Sequence, residues 1–223
     1  NDEMHHYQPG WLFIPFGIYT AQDCMKPKRD FIPKGVHFVL DEVVGVDTDA
    51  RKVACKKGDY SYDWLVIATG CRIAPNEVEG LEEWAPDPKQ NVHTFFTMES
   101  AVALYKKMKY FKGGRMVFNL AEMPHKCPVV PIEFIFMADW FFKENGIRDK
   151  VEIEFVTPNT GIFTKPIASK VLSVAAEEKG IKVTTDFHLA SVDTERGVIE
   201  TANGGEVAYD LLVSTMPNLR AEF

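Results

Sequence analysis

GRMVFNLAEMPHKCPVVPIEF, residues 114–134, reads as a buried strand, a loop and the first turn of a helix. Gly113 and Gly114 introduce Met116-Val117-Phe118, an apolar run of strand length, and Pro128 and Pro131 stand where helices tolerate proline, at or near the first position. Cys127 then falls at the N-terminal cap. Unsatisfied backbone N–H groups favour thiolate over thiol at such a cap, and His125 and Lys126 add local positive character. The residue is equally readable as a small buried hydrophobe, because free cysteine is among the most buried residue types.

On either side of this stretch the pattern alternates. Helix 99–109 has Ala101, Leu104, Tyr105 and Met108 at helical spacing, and after strand 115–119 come helix 129–144, strand 151–157, helix 166–179 and strand 181–184. That order predicts a parallel sheet with helices on both faces, a Rossmann-like domain. Residues 187–193 and 196–201 read as a meander turning at Asn203-Gly204-Gly205, and Tyr209 to Thr215 repeats the pattern of Tyr62 to Thr69, about 147 residues earlier. In the first half, 36–45 and 51–56 read as paired strands turning at Asp47 to Ala50, and 62–68 as a buried strand ending at Gly70. Ala74 to Gln90, with three prolines and several acids, reads as a linker, which divides the chain into residues 1–85 and 86–223.

Composition narrows the function classes. A chain of 223 residues with 46% hydrophobic content can bury a sizeable core, and a formal net charge of −7 argues against a nucleic-acid partner. Lys26-Pro27-Lys28-Arg29 is a local basic exception, read as a solvated loop. Cys24, Cys55, Cys71 and Cys127 have neither C-x-x-C nor zinc-type spacing, so no metal site is expected. Pro128 to Phe142 is apolar but short, and Glu133 and Asp139 make it a buried helix rather than a membrane span. Those acids either relay protons or pair with Lys143 or Arg148. The turn from Asn119 to Cys127 has no glycine and carries Glu122, which argues against nicotinamide binding, since pyrophosphate needs close approach of backbone amides.

Lys126-Cys127-Pro128 resembles the Lys-Cys-Pro segment of the sulfide:quinone oxidoreductases and flavocytochrome c sulfide dehydrogenases, which are flavoproteins with two dinucleotide-binding domains. His6-Tyr7-Gln8-Pro9-Gly10-Trp11 is similar to the His-Tyr-Gln-Pro-x-Trp segment of one branch of that family. Tyr62-Asp63-Trp64-Leu65-Val66-Ile67-Ala68-Thr69-Gly70 resembles a strand shared by the wider flavoprotein group. Gly146 to Val151 and Phe155 to Pro158 match the sulfide-oxidising branch, so the resemblance covers nearly the whole chain. It implies an α/β fold of two Rossmann-like dinucleotide-binding-type domains, the first incomplete, each with a small β-meander. The expected Gly-x-Gly-x-x-Gly falls upstream of Asn1, and a Gly-Asp flavin motif and membrane-binding region fall beyond Phe223, so the chain is expected to be truncated at both ends.

The resemblance further implies FAD as cofactor, sulfide and quinone as substrates, and Cys127 as the residue that takes up sulfide sulfur beside the flavin. It assigns Val43 a backbone contact to the adenine, sets Ala68, Thr69 and Gly70 beside the adenosine and pyrophosphate, and puts Asp2 (or Asn1) on the ribose. Cys71 directly follows that turn and is grouped with it, either as a loop residue or as a substitute for the second redox cysteine, which the family carries in its C-terminal part. Phe96 aligns where some relatives have an additional cysteine. Trp11, Phe13 and Phe16 either wall a flavin or quinone pocket or pack the core, and His5 and His6 are acid-base candidates or surface residues. The expected setting is peripheral to a bacterial or archaeal cytoplasmic membrane, with a homo-oligomer as a further possibility. The rival readings are a flavocytochrome c-type subunit that serves a haem partner, and a scaffold that has lost flavin binding.

Overall fold

Met116, Val117 and Phe118 are all fully buried, yet they face opposite ways, because successive side chains of a strand point to opposite faces. The sheet they build is therefore covered on both sides. A computed structural model describes residues 3–220. Its strands begin with β1 Met4–His6, β2 Met25–Pro27, β3 Val43–Asp47, β4 Lys52–Cys55, β5 Asp59–Ser61, β6 Cys71–Ile73 and β7 Val92–His93. They continue with β8 Gly114–Asn119, β9 Val151–Val156, β10 Ile181–Thr184, β11 Leu189–Asp193, β12 Val198–Thr201, β13 Glu206–Ala208, β14 Leu211–Ser214 and β15 Asn218–Arg220. The helices are α1 Met98–Tyr110, α2 Val130–Glu144 and α3 Pro166–Glu178.

Five strands form one parallel sheet in the order β10-β9-β8-β14-β7. Gly114 enters β8 at φ +112, where a Cβ would run into the Asp210 carboxylate that accepts the Arg115 N–H at 2.7 Å. On one face Met116, Phe118, Ile153, Phe155, Leu211 and Val213 pack against Leu104 and Met108 of α1, Phe134, Ile135 and Phe142 of α2, and Ala176 of α3. On the other face Val117, Val156 and Leu212 meet Val192, Ile199 and Val207 of the antiparallel meander β11-β12-β13. All three helices thus lie on one face, which corrects the expectation of helices on both. After β10 the chain turns into a meander instead of another crossover helix, and that meander becomes the second cover.

The linker segment is also more ordered than its prolines suggest. Val78 and Leu81 are buried against the meander face, the Val192 N–H donates to the Glu79 carbonyl at 2.8 Å, and the Trp84 Nε1–H donates to the Val92 carbonyl at 3.0 Å. Gln8–Phe16 forms a 3-10 helix whose Trp11, Leu12, Ile14 and Phe16 enter the helix-side core, together with Cys24. Residues 8–24 therefore share their core with residues 95–213.

β3, β4 and β5 form the first-half meander around the turn predicted at Asp47 to Ala50, although residues 36–42 are not strand and the third strand is Asp59–Ser61. Tyr62 to Gly70 departs from expectation most. It is not a buried strand: Trp64 is 94% and Val66 86% exposed, and among the described residues no strand pairs with it. Its later counterpart, Leu211–Ser214, is buried because β7 and β8 flank it. The two runs share strand chemistry, and only one has neighbours to satisfy it.

Where the ends of α2 and α3 approach β9, Asp139 is only 2% exposed and receives Lys143 Nζ at 2.8 Å and Arg148 Nε at 2.7 Å, with Lys179 Nζ at 3.5 Å. Arg148 also donates to the carbonyls of Val151 and Lys179, so one guanidinium ties three elements together. Burial pushes the Asp139 carboxyl up, but the hydrogen bonds and charges of Lys143 and Arg148 outweigh it and hold the group below its ordinary value. A folded value below the unfolded one means stability that is present above the ordinary carboxyl range and is lost as pH falls through the folded value. Asp139→Asn is expected to cost about 2–3 kcal/mol at neutral pH. Urea-unfolding midpoints taken across the acid range should fall less steeply with pH in the variant than in the wild type.

Candidate functional site

β8 lies at the topological switch of the sheet, because the chain builds β9 and β10 on one side of it while β14 and β7 lie on the other. The crevice at the C-terminal end of such a strand is where open α/β sheets bind ligands. The exit from β8 is tied down closely. The Thr215 N–H donates to the Asn119 carbonyl at 3.0 Å, the Leu120 N–H to the Val156 carbonyl at 2.9 Å, and the Ala121 N–H to Thr215 Oγ1 at 3.1 Å. Next along the turn, Glu122 Oε1 accepts the Asn218 N–H at 3.1 Å.

Cys127 is not the helix cap. The cap is Val129, whose carbonyl accepts from both Ile132 and Glu133, and Pro131 sits within the first turn. Cys127 instead stands on the approach to the helix, half-buried, in the wall of a cavity of about 380 Å³. That cavity is lined mainly by Trp11, Leu12, Phe13, Phe95, Phe96 and Val130, with Gln8, Lys126 and Glu133 as its polar members. Of the aromatics proposed from sequence, Trp11 and Phe13 line it, whereas Phe16 packs in the core 5.0 Å from the Phe134 ring. Phe96 fills the place where some relatives are expected to carry a cysteine, and it stacks on Phe95 at 4.9 Å. Phe95 was not singled out from sequence, because an adjacent aromatic pair before a helix looks like ordinary core.

Glu133 and Asp139, the two acids of α2 noted in the sequence, have separate roles. Asp139 holds the ion cluster, and Glu133 faces the cavity. The local positive charge is also divided. Lys126 Nζ lies 5.6 Å from the Trp11 ring centroid, a cation–π arrangement. Burial lowers the pKa of His125 from its ordinary value, and its Nδ1 has no hydrogen-bond partner among the described residues. His125 therefore adds no positive charge beside Cys127 at neutral pH, contrary to the expectation from sequence.

A second cavity, of about 650 Å³, adjoins through Gln8 and Pro9 and is lined by Met4, His5, His6, Tyr7, Lys28 and Ala68. The structure thus brings Ala68 to the His-Tyr-Gln-Pro segment. Thr69 and Gly70 follow it, exposed, with Gly70 at φ +72, a left-handed conformation that suits glycine. Val43 lies half-buried at the start of β3 and lines neither cavity, and Asp2 falls outside the described residues. Cys71 is exposed on β6, paired with β15, and its thiol approaches Asn218 Oδ1 at 3.5 Å. Cys24 is buried beneath Gly10, and burial raises its thiol pKa, aided by Asp23. All four cysteines are free. The His5 ring packs tilted against Phe31 at 4.9 Å and His6 meets Trp11 edge-on at 6.4 Å, opposite directions as expected for neighbours in a strand.

The lowered pKa of His125 is open to direct measurement. The midpoint of its imidazole C–H titration is expected to fall below the ordinary histidine value of 6.5. A midpoint at or above that value would contradict the buried, neutral ring.

The family model described as pyridine nucleotide-disulphide oxidoreductase matches residues 17–123. The mitochondrial sulfide:quinone oxidoreductase of Dictyostelium discoideum is 31% identical over 215 residues, 94% of this chain and 47% of that protein. Its mouse counterpart is 26% identical over 96% of this chain and 49% of its own length. The crystal structure of the sulfide:quinone oxidoreductase from Aquifex aeolicus superposes with a TM-score of 0.79 at 22% identity, covering 96% of this chain and 50% of that one. The chain therefore spans about half the length of the relatives it matches. Over that half it is similar in sequence to the sulfide:quinone oxidoreductases and shares the fold of the Aquifex structure.

Proposed function

We propose that this chain is the part of an FAD-dependent oxidoreductase that takes sulfide sulfur on Cys127 and delivers two electrons to a quinone. The observation that carries the reading is the position of Cys127. It lines an aromatic-walled cavity at the exit of the switch-point strand, in a chain similar in sequence to sulfide:quinone oxidoreductases. In this reading a sulfur–sulfur bond forms between sulfide and the Cys127 thiol, with loss of two electrons and two protons, and a quinone takes up both pairs to become a quinol. When bound, FAD supplies the two-electron relay between them.

The open cavity beside Ala68 and the left-handed Gly70 fit the adenosine side of such a cofactor. Ala68, Thr69, Gly70 and Cys71 would border it, with a backbone contact from Val43 and Asp2 on the ribose. Glu122, seated on a backbone amide in the β8 exit, puts a carboxylate where a nicotinamide dinucleotide would need amides, so no pyridine nucleotide is assigned. Residues 1–85 are read as part of the FAD-binding domain and 86–223 as the second domain, with residues 8–24 docked across the division. No described helix is long and apolar enough to cross a membrane. Peripheral attachment to a bacterial or archaeal cytoplasmic membrane, and a homo-oligomeric state, complete the proposal; the Dictyostelium and mouse relatives are named as mitochondrial proteins.

The test is the visible spectrum of the purified protein before and after anaerobic addition of sulfide. Sulfide is expected to bleach the flavin band and added quinone to restore it. Cys127→Ser should retain the flavin while slowing the bleaching on the order of 100-fold or more. Equal bleaching in the variant would remove Cys127 from the reaction. Restoration by a cytochrome but not by quinone would favour the flavocytochrome-type reading, and absence of any flavin would favour a scaffold.

A further inference from the structure

Two side chains of opposite charge reach the Cys127 cavity, Lys126 beside the cysteine and Glu133 in the first turn of α2. They are not equivalent. Both are exposed residues, but the Lys126 ammonium lies over the face of a buried indole, 5.6 Å from its centroid. Trp11 is itself set firmly, with its ring in the helix-side core and His6 at its edge. A lysine normally samples many rotamers in solvent, and attraction to the ring face confines this one to the wall of the cavity. Among the described residues Lys126 forms no ion pair, so its charge is not spent on a neighbouring carboxylate. His125 is neutral by burial and does not share the task.

We infer that Lys126, held over Trp11, is a specificity-determining residue that makes the Cys127 cavity admit small anionic sulfur species, hydrosulfide in particular, in preference to neutral thiols. This rests on the reading of Cys127 as the sulfur-handling residue. The cation attracts an incoming anion into a largely apolar, water-poor space where a neutral molecule gains nothing from it. Trp11 acts through Lys126 and is a positioning residue.

Paired alkylating probes test this without sulfide turnover or bound flavin. Iodoacetate is anionic and iodoacetamide is neutral. With either, the Cys127 sulfur forms a carbon–sulfur bond as the carbon–iodine bond breaks and iodide leaves. Rates are followed on the Cys127 peptide by mass spectrometry, because Cys71 also lies exposed. The ratio of iodoacetate to iodoacetamide rate is expected to fall roughly threefold to tenfold in Lys126→Met and to recover in Lys126→Arg. In the wild type the ratio should also decline with added salt, and in Lys126→Met it should not. A ratio unchanged in Lys126→Met, or equally salt-sensitive in both proteins, would overturn the inference. If the ratio changes as expected while sulfide fails to bleach the flavin, the sulfide reading falls and the anion selectivity stands. An unchanged ratio with Cys127-dependent bleaching intact has the opposite meaning.

Discussion

The site depends on the side-by-side ending of β8 and β14. Their register, Leu211 opposite Met116 through Ser214 opposite Asn119, brings Thr215 one residue beyond the end of β8. From there the Thr215 backbone and hydroxyl hold Asn119 and Ala121, while the Val156 carbonyl holds Leu120 from the β9 side. A turn gripped from both neighbouring strands cannot drift. Its continuation, from Glu122 to Cys127, is delivered to the same place above the sheet, where the 3-10 helix of residues 8–16 supplies the opposing wall. A slip of one residue between β8 and β14 would turn Phe118 toward the meander face and Val117 toward the helices, so the register is enforced by the core itself.

Much of this was legible in the sequence, because the signals are local. The glycine pair and apolar run of β8 and the helical spacings of α1 and α2 locate elements to within a residue or two. The repeated Tyr-Asp-x-Leu-Val pattern correctly marked Leu211–Ser214 as a strand. The same pattern misled at Tyr62 to Gly70, since periodicity records that a segment is suited to burial and not what covers it. Helices on both faces failed for a related reason. Alternating strands and helices fix the crossovers, while the cover of the second face comes from a meander whose destination no local pattern states. At the site, Pro128 was read as a first helical residue, whereas the helix begins at Val130 with Val129 as its cap.

Charge is handled in two ways in this molecule. Asp139 is surrounded by cations and withdrawn from water, an arrangement that fixes the ends of α2 and α3 to the sheet. The Arg196 cluster with Glu200 and Glu206 is its exposed counterpart, and such solvent-screened pairs add little. Around Cys127 the pattern differs again, with a half-buried histidine whose pKa burial lowers, a lysine over an indole that forms no ion pair among the described residues, and Glu133 in the lining of the same cavity.

The most direct test of the account is whether sulfide sulfur becomes covalently attached to Cys127. The flavin-loaded protein would be exposed to sulfide without oxygen, quenched with an alkylating agent and digested, and its cysteine peptides weighed. The account predicts the mass of one additional sulfur atom on the Cys127 peptide, formed as the flavin is reduced, and none on Cys24. Flavin reduction with the added sulfur absent from Cys127, or present only on Cys71, would contradict it.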